Sequence, residues 1–176
     1  MKPVCVLMFS LVALFPVSAM ADDDPLAQFK GAVGVHPVSN VAGTQNTDGS
    51  FPNVTRNVVR GVNPAGQIWV IAKFNASVSA DGQINADGRG LLLGGGNSVG
   101  TRATVAQVKA TLICETVAPF TLRDSDLVAL EVDGDFRVNG QLSPWPPEDC
   151  SSPALLIRAA GGQWFAAGLV KQGDRD

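Results

Sequence analysis

Between Ile68 and Val78 the chain places an apolar side chain at every second position, namely Ile68, Val70, Ala72, Phe74, Ala76 and Val78, while Lys73, Asn75 and Ser77 fill positions between them. A period of two is the signature of a strand with one buried face, whereas a helix would scatter these six around its circumference. The pattern recurs. Ala106, Val108, Ala110, Leu112 and Cys114 alternate with Gln107, Lys109 and Thr111; Val128, Leu130 and Val132 alternate with Ala129 and Glu131; Phe136, Val138, Gly140 and Leu142 alternate with Arg137, Asn139 and Gln141. Gln83 to Leu93, Ala154 to Ala159 and Gln163 to Lys171 are strand-like with weaker alternation. Asp81-Gly82, Asp133-Gly134 and Gly161-Gly162 each separate two such segments and supply the positive φ of a tight turn, so each predicts a hairpin. Seven or more short strands without a long helical period predict an all-β chain, a single-domain antiparallel β-sandwich or barrel.

Upstream the pattern is poorer. Asp24-Pro25-Leu26 followed by Gly31 offers an N-cap, a proline at the first helical position and a closing glycine, which predicts a short N-terminal helical turn. Ala32 to Val38 reads as an extra strand, Ser39 to Asn57 as a long polar surface loop, and Val58 to Val62 as a further strand. The expected organisation is therefore a signal peptide over 1–21, an N-terminal extension with one strand and a polar loop over 22–57, a β-sandwich domain over 58–171, and a tail over 172–176. Nothing in the extension is large enough to bury a core by itself.

Lys2 followed by an apolar stretch ending in Ala19-Met20-Ala21, with Asp22-Asp23-Asp24 beyond, matches a secretory signal cut after Ala21. Pro16 near the end of the short apolar core disfavours a permanent anchor. The expected location is secreted or periplasmic, with no membrane association after cleavage. Removing the leader removes Cys5 and leaves Cys114 and Cys150, an even pair in an oxidising compartment, where two thiols become one disulfide. The crosslink would close a loop of about 37 residues and contribute about 4 kcal/mol by chain entropy.

The remaining 155 residues carry 12 basic against 16 acidic side chains, too few cations in balance to neutralise phosphates, so no nucleic acid is expected as a partner. One His and no Tyr leave little of the usual acid/base repertoire, and no catalytic residues, cofactor or metal site are assigned. Gly96-Asn97-Ser98-Val99-Gly100 matches the G-x-S-x-G of serine hydrolases. Its context argues otherwise, because a strand rather than a helix should follow Ser98, and His36, the single histidine, precedes it. The same glycine-rich stretch lacks the lysine a phosphate loop needs. Asp124 and Asp126 are separated from Asp133 and Asp135 by about 20 Å of strand, too far to share one calcium. Every strand carboxylate that can be placed, such as Glu131, falls on a polar face, so no facing pair for glycoside cleavage is marked.

The tryptophans remain. Trp69, on the face opposite the six apolar residues of its strand, is either covered by the N-terminal segment or part of an exposed patch; Trp145, between prolines, is the better candidate for a solvent-facing aromatic that stacks on a sugar ring or anchors a protein. Trp69 and Trp145 are the candidate binding residues. The expected function is a non-catalytic binding or cell-surface role toward a protein or glycan surface. The alternatives are a hydrolase using Ser98 or loop carboxylates, and a small-ligand carrier if the strands close into a barrel.

Overall fold

The computed structural model describes residues 25–171. The expected signal segment and tail lie outside them. In chain order the strands are β1 (Ala27–Gly34), β2 (Val38–Ala42), β3 (Asn53–Arg56), β4 (Trp69–Val70), β5 (Lys73–Val78), β6 (Gln83–Arg89), β7 (Leu92–Leu93), β8 (Gln107–Ile113), β9 (Arg123–Asp124), β10 (Val128–Ala129), β11 (Phe136–Gln141), β12 (Ala154–Ala159) and β13 (Trp164–Val170). Among the described residues no helix is long and apolar enough to cross a membrane.

Eight strands lie side by side in the order β10-β8-β12-β13-β1-β5-β6-β11, every pair antiparallel, with β9 added to β8. Residues directly opposite in such a ladder share a face. Phe29 is opposite Ala76, Ala76 opposite Ala86, and Ala86 opposite Val138; on the other flank Ile157 is opposite both Ala110 and Ala166. All of these are buried. One face therefore runs as a continuous apolar lining around the sheet, and hiding it curls the sheet into a half-open barrel. The two edge strands come together at two points. The Glu131 amide donates to the Asp135 carbonyl over 2.9 Å, and Asp124 and Ser143 exchange two backbone hydrogen bonds of 2.9 Å each.

At β12 both faces are covered. Leu155, Leu156 and Ile157 are fully buried, because segment 57–65 lies across the outer side of the sheet and buries Val62, Pro64 and Ala65. Trp164 fastens this cover: its amide donates to Asn63 O, its carbonyl accepts from the Ala65 amide, and its indole Nε1 donates to Asn57 O, each at 3.0 Å. Each fully buried Leu or Ile contributes about 1.5–3 kcal/mol, and the double burial explains why this strand reads as an unbroken apolar run.

Four upstream readings change. Ala27 to Gly31 is not a helical turn but the start of β1, with Ala27 and Phe29 buried and Gln28 and Lys30 exposed; pairing with β5 and β13 outweighs the capping signals. The expected N-cap, Asp24, lies outside the described residues. Within the expected extension, β1 sits between β13 and β5, so Ala27–Gly34 belongs to the main sheet. Within the expected loop Ser39–Asn57, β2 and β3 form an arm whose strand residues are all exposed, so no buried face was there to be read as alternation. Val58–Val62 is a turn rather than a strand, with Arg60 at φ 45° and Gly61 at φ 79°, and Val59 and Val62 exchanging bonds of 3.0 and 2.8 Å. Arg60 is kept in the left-handed region by its guanidinium, which donates to Ile113 O at 2.6 Å and Ser152 O at 2.7 Å.

Asp81-Gly82 and Gly161-Gly162 close the β5–β6 and β12–β13 hairpins as expected. Asp133-Gly134 is a turn of another kind. It joins β10 to β11, the opposite edges of the sheet, and so links two strands that share no ladder.

Candidate functional site

Cys114 and Cys150 form the expected disulfide, with Cα atoms 4.9 Å apart across 36 positions. It lies at the end of the barrel where β8 finishes and β12 begins, and it ties loop 115–122 to the proline-rich crossing 143–150. The crossing is fixed at its start by the paired Asp124 and Ser143 backbones.

Between these fixed points stands Trp145. Arg123 is buried at 6% exposure, and its guanidinium donates in three directions. Nη2 and Nη1 reach Glu115 Oε1 and Oε2 at 2.7 and 3.2 Å, Nη1 also reaches Thr121 O at 3.2 Å, and Nε reaches Trp145 O at 3.3 Å. The backbone of Trp145 is thus held from inside while its side chain is 66% exposed. Pro146, the next residue, is buried. Charge-assisted, fork-shaped bonds of this kind are about twice as strong as neutral ones. The Arg123 hydrogen bond holds the Glu115 carboxyl at about 2, below its ordinary value of 4.5, so the carboxylate stays charged at any physiological pH.

Beside this loop a groove of about 610 Å³ opens between the two tied segments. Its walls mix Val117 and Pro147 with the carboxylates of Glu115 and Asp149 and the hydroxyls of Thr121 and Ser151. Val117 is 74% exposed. Pro147, two positions beyond the exposed Trp145, lines this groove, so the same tied crossing carries a flat apolar surface for stacking and borders hydrogen-bond acceptors and donors for hydroxyl groups.

The other candidate, Trp69, lies elsewhere and inside. It is 4% exposed, its ring centroid is 4.2 Å from that of Phe165, and its amide donates to Val35 O at 3.0 Å, so its ring is part of the core and no exposed patch. Its burial comes from a break in the alternation: Trp69 is buried and Val70 exposed in β4, while Phe74, Ala76 and Val78 are the buried set of β5. Ser98 is exposed in the turn after β7, with strand β8 rather than a helix downstream; its carbonyl accepts from Thr101 Oγ1 at 2.8 Å.

Of the acidic residues weighed for calcium, Asp124, Asp133 and Asp135 are engaged by cations and amides. Asp124 sits between Lys109 at 2.5 Å and Arg158 at 3.1 Å, which face each other across β8 and β12, and it also accepts from Thr111 Oγ1 at 2.6 Å. Two like charges opposite each other would repel, and the carboxylate between them removes that cost. Asp87 is held below the usual carboxylate range by the Arg137 hydrogen bond and the Arg89 charge. Asp81 and Asp133 accept from the amides of Gln83 and Asp135 in their own turns.

Sequence reasoning missed Arg123, Glu115 and Val117. Their partnership crosses an irregular loop with no periodicity, and the sole signal is an arginine followed by aspartate after the apolar residues Phe120 and Leu122. A scan of the chain against protein-family models finds no match, and searches of curated proteins and of solved structures find none either.

Proposed function

We propose that this chain is an exported, non-catalytic binding protein that engages a glycan through Trp145 and the adjoining groove. The observation that carries this reading is the combination of a 66% exposed indole with a backbone held by a buried guanidinium and a disulfide. Ordering a loop before binding removes an entropic cost that a mobile loop would meet on association. Export is supported by the apolar N-terminal stretch ending in Ala19-Met20-Ala21 and by the disulfide, since such bonds persist in oxidising compartments. Secreted and periplasmic locations both satisfy these features.

The test is a glycan array probed with the parent protein and with Trp145→Ala. Selective retention that falls at least about tenfold in the variant supports the reading. Retention that survives the substitution, or no retention on any glycan, overturns it. Labelling of Ser98 by a fluorophosphonate would replace it with a hydrolytic one.

A further inference from the structure

The opposite end of the barrel, where β1 finishes and β13 begins, carries a second concavity. Two adjoining cavities of about 440 and 370 Å³ share Gly66 and Gln67 as lining residues. The floor is apolar, made by the half-buried Ile68 with the buried Trp69, Phe165 and Leu93 beneath it. On one side stands the arm β2–β3, which contributes Val38 and Arg56; on the other lies the glycine-rich turn after β7, which contributes Gly95 and Gly96. Volumes of this size, an apolar floor, a few polar groups and a position at the mouth of a barrel are the features of a small-molecule site.

The charge in the cleft is one-sided. The ionisable side chains lining the two cavities are Arg56 and His36, with no carboxylate, in a chain of net charge −3. Arg56 makes no ion pair among the described residues, and the one hydrogen bond of its guanidinium is a long 3.4 Å contact to Pro64 O. Ala103, another lining residue, sits at φ 48°, a backbone cost of about 1–3 kcal/mol for a residue with a Cβ. A strained backbone position and a cationic lining therefore meet in one cleft.

We propose that this cleft binds a small aromatic anion, a carboxylate or sulfonate, whose ring enters the apolar space beside Gly66 and Ile68 while Arg56 pairs with the charge. An aromatic body matches the floor, and an anion matches the absence of any acidic side chain in the lining.

The experiment titrates the full chain with 8-anilinonaphthalene-1-sulfonate and, in parallel, with N-phenyl-1-naphthylamine, which has the rings without the sulfonate. Energy transfer from tryptophan reports binding. The expected result is saturable binding of the sulfonate, at least about tenfold tighter than the neutral amine. Arg56→Gln should weaken the sulfonate about tenfold and leave the amine unchanged, with Arg56→Lys intermediate. Gly66→Leu should abolish both, because a Cβ at Gly66 meets nothing within 4 Å and its side chain fills open cleft space rather than disturbing the fold. Trp145→Ala should bind as the parent does, which separates this site from the glycan reading. Equal affinity for the two probes, unchanged binding in Arg56→Gln and Gly66→Leu, or loss confined to Trp145→Ala would each overturn the proposal.

Discussion

Arg123 clasps Glu115 through both ends of its fork, at 2.7 and 3.2 Å, with the arginine side chain 7% and the glutamate side chain 27% exposed. A carboxyl whose folded value lies near 2, below its ordinary 4.5, adds stability that is complete above 4.5 and is lost as pH falls toward 2. Thermal midpoints of the parent should therefore drop between these limits. Glu115→Gln should lack this part of the acid limb and be less stable at neutral pH by about 2 kcal/mol, as for one charged hydrogen-bond pair. Parallel acid limbs for parent and variant would refute the assignment.

The disulfide is the second lever on the same end of the barrel. Replacing Cys114 and Cys150 by alanine should lower the unfolding free energy by about 4 kcal/mol, from the loop the bridge closes. Urea unfolding of the parent with and without reductant should show the same difference, and thiol titration of the exported protein under denaturing, non-reducing conditions should find no free thiol. Two free thiols would contradict the bridge.

The two candidate tryptophans should part company in stability. Trp69→Ala removes a core ring packed on Phe165 and should cost about 3–5 kcal/mol, whereas Trp145→Ala should stay within about 0.5 kcal/mol. Chemical denaturation of the pair decides this, and a large cost for Trp145→Ala would mean that its ring is structural.

Gly134 offers a backbone test. Its φ is 83°, and a Cβ there would stand 2.5 Å from the amide nitrogen of Leu91, which donates to the Gly134 carbonyl. Gly134→Ala should cost about 2–4 kcal/mol from positive φ and overpacking together. A neutral outcome would show that the turn joining the sheet edges can rearrange freely.

How far the sequence reaches depends on what each segment is packed against. Lys73 to Val78 and Phe136 to Gln141 have one wet and one dry face, so their residues display the period of two openly. Leu155-Leu156-Ile157 hides it because segment 57–65 dries the second face, and the exposed arm β2–β3 hides it because neither face is dry. Val58 to Val62 is rich in valine, yet Arg60 and Gly61 turn the chain there, which depends on anchors at Ile113 and Ser152 more than 50 and 90 positions away. The site divides the same way. Cys114 with Cys150 follows from counting, and Trp145 from its proline neighbours, while the Arg123 clasp rests on a loop conformation that no local pattern encodes.

The meeting of Glu131 with Asp135, and of Asp124 with Ser143, bears on how the molecule behaves in company. An open ribbon invites another copy to extend it, and such stacking is the first step toward insoluble fibrils. Here the outermost ribbons of the main sheet are turned toward each other and clipped at both extremities, leaving a newcomer only a short, curved stretch to template upon. Self-closure of this sort favours a protein that stays dispersed when crowded.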